Sequence, residues 1–92
     1  MNVKNILSYL SSLLKTDEFE IDIVKLSEIA DLSEEEFENE LIDLQTKNDI
    51  EYSNNTVKLI NIKPKKNKKF NDLYNPVETF EWTQNMKLVF DK

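Results

Sequence analysis

The sequence predicts an α+β domain in which three helices pack on a short β-hairpin, followed by a further C-terminal helix or hairpin. Apolar residues recur at helical spacing in two stretches, near the start of the chain and again over residues 37–44. Two runs rich in β-branched and apolar residues flank Ser53-Asn54-Asn55, a pattern typical of strands joined by a tight turn. Together these patterns predict one small core shared by the helices and the hairpin.

Length and composition favour a single small domain with an appended segment. The chain has 92 residues, of which 39% are hydrophobic, enough for a small globular core. It has no run of eighteen apolar residues that predicts a membrane span, no signal-peptide pattern at its start, and no Cys for disulfides. We therefore expect an intracellular protein, cytoplasmic or associated with nucleoid or nucleus. Its segments are the domain (1–62), a lysine-rich connector (63–69) and an aromatic C-terminal extension (70–92).

The first two elements follow from two different periodicities. Helix 1 is predicted over residues 3–15, because its apolar residues recur every three or four positions. They are Val3, Ile6, Leu7, Leu10, Leu13 and Leu14. Phe19, Ile21 and Ile23 instead alternate with acidic residues, which predicts a short, half-buried strand.

A helix-turn-helix follows the strand. Helix 2 is predicted over residues 24–30, and a tight connection leads to Ser33, whose hydroxyl caps the next helix. Glu36 completes a capping box, which makes residue 34 the start of helix 3. We expect helix 3 to end near Lys47, because Asn48 tolerates the left-handed conformation that follows many helices. Its apolar stripe consists of Phe37, Leu41 and Leu44.

This part of the chain resembles the winged helix-turn-helix pattern over the stretch LSEIADLSEEEFENELIDLQTKNDIEY. Ala30 lies where that family places a small residue against helix 3, and Leu32 fills the turn. Leu41 and Leu44 match the two leucines of the recognition helix. Ile50 matches the apolar residue that opens the wing.

The resemblance extends over about Val3–Ile62 and departs from the pattern at Asn48-Asp49, where many members carry Gly. It is as close to the winged helices of chromosome segregation-and-condensation subunits as to MarR-type regulators. It implies that the strand near Phe19 pairs with the wing. It also implies that a C-terminal helix forms a dimer, as is common in winged-helix proteins.

The hairpin and the extension complete the prediction. Residues 50–52 and 56–60 form the hairpin strands, and Asn54-Asn55 takes the left-handed positions of its turn. Pro64 ends the second strand because it has no backbone N–H to donate.

Two structures for the extension remain open. Asn75-Pro76 is a typical helix start, and a helix from there places the large apolar side chains on one face. These are Trp82, Met86, Val89 and Phe90. Alternatively, residues 77–82 and 86–90 are the strands of a hairpin, which their β-branched and aromatic content favours.

Charge is segregated along the chain. Residues 17–51 hold 14 acidic residues against two lysines, a local balance of −12 within a net charge of −6. Residues 58–69 hold six lysines and no acid. All the basic residues are lysine, so the chain combines an acidic body with a basic segment.

The residue types argue against catalysis. The chain has no His or Cys, so it lacks the usual general base and the strongest zinc ligands, and no Gly-rich loop can hold phosphate. A metal site of Glu34, Glu35 and Glu38 is conceivable, but no loop arranges them around one ion. We therefore expect no enzyme activity, no cofactor, no metal and no small-molecule substrate.

The predicted function is that of an interaction module that binds a protein partner or forms a homodimer. Its acidic helix 3 is either a solvated face or a docking face for a basic protein surface, and the exposure expected for Ile42 favours docking. Aromatic residues of the extension either cover the domain or form an interface. The predicted partner-binding residues are Glu34, Glu35, Glu38, Ile42, Phe80, Trp82, Met86 and Phe90.

Two alternatives from other classes remain. One is a small DNA-binding transcriptional regulator, in which Asn39 or Gln45 reads adenine and lysines contact phosphates. Those lysines are Lys58, Lys63, Lys65, Lys66, Lys68 and Lys69. Carboxylates on helix 3 would be repelled by DNA, so we expect nucleic-acid contact to be weak and non-specific. The other alternative is an acidic mimic of nucleic acid that inhibits a nucleic-acid enzyme.

Overall fold

Residues 1–74, the part of the chain described by a computed structural model, fold into four helices and one three-stranded antiparallel sheet. In chain order the elements are α1 (Val3–Leu14), β1 (Glu18–Glu20), α2 (Ile23–Ala30), α3 (Glu34–Thr46), β2 (Ile50–Ser53), β3 (Thr56–Leu59) and α4 (Lys68–Leu73). The α+β class is confirmed, and the first three helices lie within one residue of their predicted ends.

The helix-turn-helix forms as its capping residues predict. Asp22 accepts a hydrogen bond from the backbone N–H of Lys25 and so starts α2. Asp31, with a φ of 60°, ends α2 in the left-handed conformation. Ser33 then accepts from the N–H of Glu36 while the Glu36 carboxylate accepts from the N–H of Ser33, which confirms the capping box.

Asparagine supplies the left-handed turn positions after α3. Asn48 has a φ of 63° at the end of α3, as predicted. Asn54 and Asn55, with φ values of 50° and 62°, form the predicted two-residue turn between β2 and β3. Asn tolerates this conformation better than most residues because its short side chain can hydrogen-bond to the local backbone.

The strand before the helix-turn-helix is shorter than predicted. β1 ends at Glu20, whereas the alternation of apolar residues predicted a strand that continued to Ile23. Ile23 is instead the first residue of α2, because Asp22 is the N-cap and the helix begins at the next residue. β1 pairs with β3, so the sheet order is β1-β3-β2, with Phe19 opposite Val57.

One core joins the helices to the inner face of the sheet. The helices α1 and α3 contact each other, and α1 also contacts β1 while α3 contacts β2. Its buried apolar side chains are Val3, Ile6, Leu7, Leu10, Phe19, Ile21, Leu26, Ala30, Phe37, Leu41, Leu44, Ile50, Val57, Leu59, Ile62 and Phe70. Leu13 and Leu14 are only partly buried because α1 ends beside them.

Helix α4 closes this core from the far end of the described chain. Asn67 caps it by accepting from the N–H of Phe70, at 2.9 Å. The Phe70 ring is fully buried and lies 5.6 Å from the ring of Tyr9 and 5.7 Å from that of Tyr74. The sequence pattern predicted no helix over residues 68–73, and the helix or hairpin predicted for residues 76–90 lies outside the described residues.

Candidate functional site

The first two turns of α3 carry the exposed acidic residues of the predicted docking face. The Ser33 capping box and the helix dipole both favour acids at this end of the helix. Glu34, Glu35 and Glu38 are exposed, and Ile42 follows them one turn further along with 46% of its surface exposed. These four predicted residues therefore lie on neighbouring surface positions of one helix.

A groove of about 660 Å³ runs beside this acidic surface. It forms where the start of α2, the first half of α3 and the hairpin turn come together. Its lining residues are Ile21, Asp22, Ile23, Val24, Glu34, Glu35, Glu38, Asn39 and Asn55. The N–H of Ile21 donates to the carbonyl of Asn55 at 2.8 Å, which holds the hairpin turn against this wall. We call this site the acidic groove.

The acidic groove also has an apolar component, Val24, which was not among the predicted site residues. Val24 has 53% of its surface exposed, more than Ile42. It lies off the buried stripe of α2, which includes Leu26 and Ala30. The sequence does contain a sign of this exposure, because Val24 is an aliphatic residue that lies off the apolar stripe of its helix.

None of the carboxylates of the acidic groove forms a salt bridge within residues 1–74. A single salt bridge occurs in this part of the chain, between Lys47 and Asp43 one turn apart at 3.0 Å. The hydrogen bond and the charge of Asp43 raise the pKa of Lys47. Because Glu34, Glu35 and Glu38 take no part in it, their charge is available to a ligand.

One predicted base-reading residue has a structural role. The side-chain oxygen of Gln45 accepts from the backbone N–H of Tyr52 at 2.6 Å and so connects α3 to β2. Burial raises the pKa of Tyr52, and the negative charge of Glu38 raises it further. Asn39 remains at the acidic groove, but Gln45 is already bound within the protein.

The six predicted phosphate-contacting lysines fall into two groups. Lys58 lies on the outer face of β3, directly between Glu18 of β1 and Glu51 of β2. The other five are exposed in the lysine-rich connector, whose last two residues, Lys68 and Lys69, belong to α4. Lys58 is therefore opposed by two carboxylates and is separated in the fold from the connector.

The predicted aromatic partner residues, Phe80, Trp82, Met86 and Phe90, lie outside the described residues. The last described residue, Tyr74, stacks on Phe70, and its ring lies 5.1 Å from the ammonium group of Lys25. Burial raises the pKa of Tyr74, with a smaller contribution from the charge of Asp22. Tyr74 therefore lies beside α2.

Further observations bear on the class of site. Within residues 1–74 no group of three acidic side chains is placed to hold a metal ion. No helix among these residues has both the length and the apolar composition to cross a membrane. Comparison with known proteins found no family model, no curated protein and no solved structure that matches the chain.

Proposed function

We propose that residues 1–74 form a winged helix-turn-helix domain that serves as a non-enzymatic docking module for a protein partner. The order of elements supports this fold, because α2 and α3 form a helix-turn-helix and the β2–β3 hairpin follows α3 as a wing. The pairing of β1 with β3 agrees with the same layout. In this proposal the acidic groove is the binding site.

The observation that carries the proposal is the union of charge and exposed apolar surface in one groove. Three carboxylates that form no salt bridge within residues 1–74 would attract a basic segment and set its orientation. Val24 offers exposed apolar surface, and its burial by an aliphatic side chain of the ligand would add to affinity. The ligand that fits is therefore a basic protein segment with at least one aliphatic side chain.

Sequence-specific DNA reading is less well supported. A recognition helix approaches phosphates that carry one negative charge per ~1.7 Å of duplex, so the acids of α3 oppose its entry. The side-chain oxygen of Gln45 already accepts a hydrogen bond from the backbone of Tyr52. Asn39 is therefore the remaining residue predicted to read a base. The chain also has no arginine, the side chain that most often reads guanine, which argues against a DNA-binding regulator.

An acidic mimic of nucleic acid would use the same carboxylates but would have no need of Val24. A peptide probe separates the two ideas. We would measure the binding of a fluorescent peptide of alternating lysine and leucine, and of a matched peptide of lysine and serine. Docking predicts that the leucine peptide binds more tightly and that Val24→Ser removes this advantage. Equal affinity for both peptides would favour the mimic.

Charge variants test whether the acidic groove itself is the site. The variant Glu34→Gln/Glu35→Gln/Glu38→Gln removes three carboxylates that would form exposed ion pairs with lysines of the peptide. Each such pair is worth ~0.2–1 kcal/mol, so the peptide should bind roughly 3- to 150-fold more weakly. The matched control is Glu18→Gln/Glu20→Gln/Glu51→Gln, which changes the net charge equally on the sheet. Equal weakening by both variants would show a general charge effect and refute the groove.

A further inference from the structure

The lysine-rich connector is held against α1 by two hydrogen bonds to one residue. The hydroxyl of Ser8 donates to the carbonyl of Lys63, and the backbone N–H of Lys65 donates to the carbonyl of Ser8 at 3.1 Å. Ser8 is buried, and the neighbouring chain is fixed on either side by the buried side chains of Ile62 and Phe70. The connector therefore has a defined path along the surface of α1.

This path brings lysines from two parts of the chain together around two clefts. The first cleft, of about 270 Å³, is lined by Lys4, Asn5, Ser8, Asn61, Ile62, Lys63 and Lys65. The second, of about 510 Å³, is lined by Ser11, Ser12, Lys15, Thr16, Asp17, Pro64 and Lys66. We call the surface that carries Lys4, Lys15, Lys63, Lys65 and Lys66 the basic face.

We propose that the basic face binds the phosphate backbone of nucleic acid without reading its bases. Its five lysines are exposed and face one acid, Asp17, and the salt bridge recorded in residues 1–74 involves none of them. Exposed lysines bind phosphates as point charges, and the side chain of Asn5 and the hydroxyl of Ser12 add polar groups to the two clefts.

The dimensions of the basic face suit a chain of phosphates better than a single anion. Lys4 and Lys15 lie eleven residues apart across α1 and its C-cap, about 16 Å at the rise of a helix. A duplex strand presents one phosphate per ~3.4 Å of helix axis, so a surface of this length spans several phosphates. The lysines border two separate clefts along this length, as repeated contacts to a backbone require.

A membrane surface is a less suitable ligand. Surface-bound segments usually insert aromatic or aliphatic side chains beside their lysines. In the described clefts the apolar lining residues are Ile62, which is buried, and Pro64. The large exposed apolar side chains of residues 1–74, such as Ile60 and Leu73, do not line either cleft.

The basic face is independent of the acidic groove, because the two share no lining residue. The proposal also changes which lysines matter. It adds Lys4 and Lys15 of the α1 region, which were not predicted. It leaves out Lys58, which lies between two carboxylates, and also Lys68 and Lys69, which belong to α4 and line neither cleft. Failure of the basic face to bind nucleic acid would therefore leave the proposal for the acidic groove untouched, and the reverse also holds.

Fluorescence anisotropy of the full chain with a labelled random-sequence duplex tests the proposal. At low salt we expect binding that weakens with salt, with a log–log slope of about −4.5 for five phosphate contacts. Lys4→Gln/Lys63→Gln/Lys65→Gln should reduce the slope to about −1.8 and weaken binding at least tenfold at low salt. The control Lys25→Gln/Lys47→Gln/Lys58→Gln removes equal charge elsewhere and should leave the slope unchanged, with circular dichroism confirming that both variants fold.

A second variant tests the opposite direction. Asp17 is the acid in the second cleft, so Asp17→Asn should strengthen duplex binding at low salt about 1.4- to fivefold, the effect of one exposed charge contact. Absence of duplex binding by the wild type, or an equal loss of slope in both lysine variants, would overturn the proposal. Binding to vesicles of phosphatidylserine and phosphatidylcholine without duplex binding would overturn it in favour of a membrane surface.

Discussion

Five described residues adopt the left-handed backbone conformation in a chain that contains no glycine. Four of them are Asp31, Asn48, Asn54 and Asn55, whose short polar side chains tolerate positive φ. The fifth is Lys15, with a φ of 57° at the C-cap of α1. Its side chain gives no such local compensation, so Lys15 carries backbone strain that the asparagines avoid.

Replacing Lys15 by glycine should therefore stabilise the domain. Removing left-handed strain of ~1–2 kcal/mol outweighs the extra unfolded-state entropy of glycine, ~0.5–1 kcal/mol, so we expect a gain of about 0.5–1 kcal/mol. Urea denaturation measures the change. The control Lys25→Gly, within α2, should instead lose about 0.5–1 kcal/mol. Destabilisation by Lys15→Gly would contradict this account of the cap.

Neighbouring residues of α3 should respond very differently to truncation. Leu41 is fully buried, so Leu41→Ala should reduce the free energy of unfolding by ~2–5 kcal/mol. Ile42→Ala, one residue further along and half-exposed, should cost less than ~1 kcal/mol. Chemical denaturation of the two variants decides the matter, and a cost below ~1 kcal/mol for Leu41→Ala would mean that this stripe is not the core.

At the scale of elements, α4 is expected to be part of the domain core. Phe70 is fully buried in the core and contacts α1 through Tyr9, so Phe70→Ala should cost ~3–5 kcal/mol. Leu73, on the same short helix, is about half-exposed, and Leu73→Ala should have little effect. If both variants melted with the wild type, α4 would be an appendage that contributes nothing to stability.

Alkaline pH should weaken the packing of α4. The pKa of Tyr74 is raised in the folded state by burial and by Asp22, so this side chain favours folding below its unfolded pKa of 10.0. That contribution is lost as pH rises through the raised folded pKa, because the unfolded chain ionises first. The melting temperature of the wild type should then fall more steeply above pH ~10 than that of Tyr74→Phe. Parallel curves would show that Tyr74 ionisation is not linked to folding.

Local chemistry explains which elements were predictable from sequence. Ser33 and Glu36, the two asparagines of the hairpin turn and the apolar stripes act over a few residues, so their pattern is sufficient evidence. The burial of Phe70 depends on a distant partner, Tyr9, and dense lysines around it resemble a solvated linker. The acidic groove and the basic face likewise arise only when separate elements meet, which no local pattern specifies.

At the scale of the whole molecule, the aromatic extension remains the predicted site of self-association. Phe80 and Trp82 lie outside the described residues, and side chains of this size each bury ~150–250 Å² when they pack. If they form a dimer interface, Phe80→Ala/Trp82→Ala should give a folded monomer, because interface energy concentrates in a few aromatic anchors. Size-exclusion chromatography with light scattering measures the mass.

The same experiment has a clear contrary outcome. If the extension covers its own domain, the double variant should keep the mass of the wild type and lower its melting temperature. A monomeric wild type at high micromolar concentration, with blue-shifted Trp82 fluorescence, would refute self-association. The exposed Leu73→Ala variant is a suitable control, because it changes an apolar side chain on α4 at little expected cost in stability.

The contact between Tyr9 and Phe70 also has a consequence for folding during translation, because the two residues are synthesised at different times. At translation rates of ~5–20 residues per second, the ribosome needs about 3–12 s to advance from one residue to the other. A helix such as α1 can form within microseconds, long before its last partner emerges. For those seconds the buried face of α1 lacks part of its cover on the nascent chain, so its apolar surface stays open to non-native contacts until α4 is synthesised.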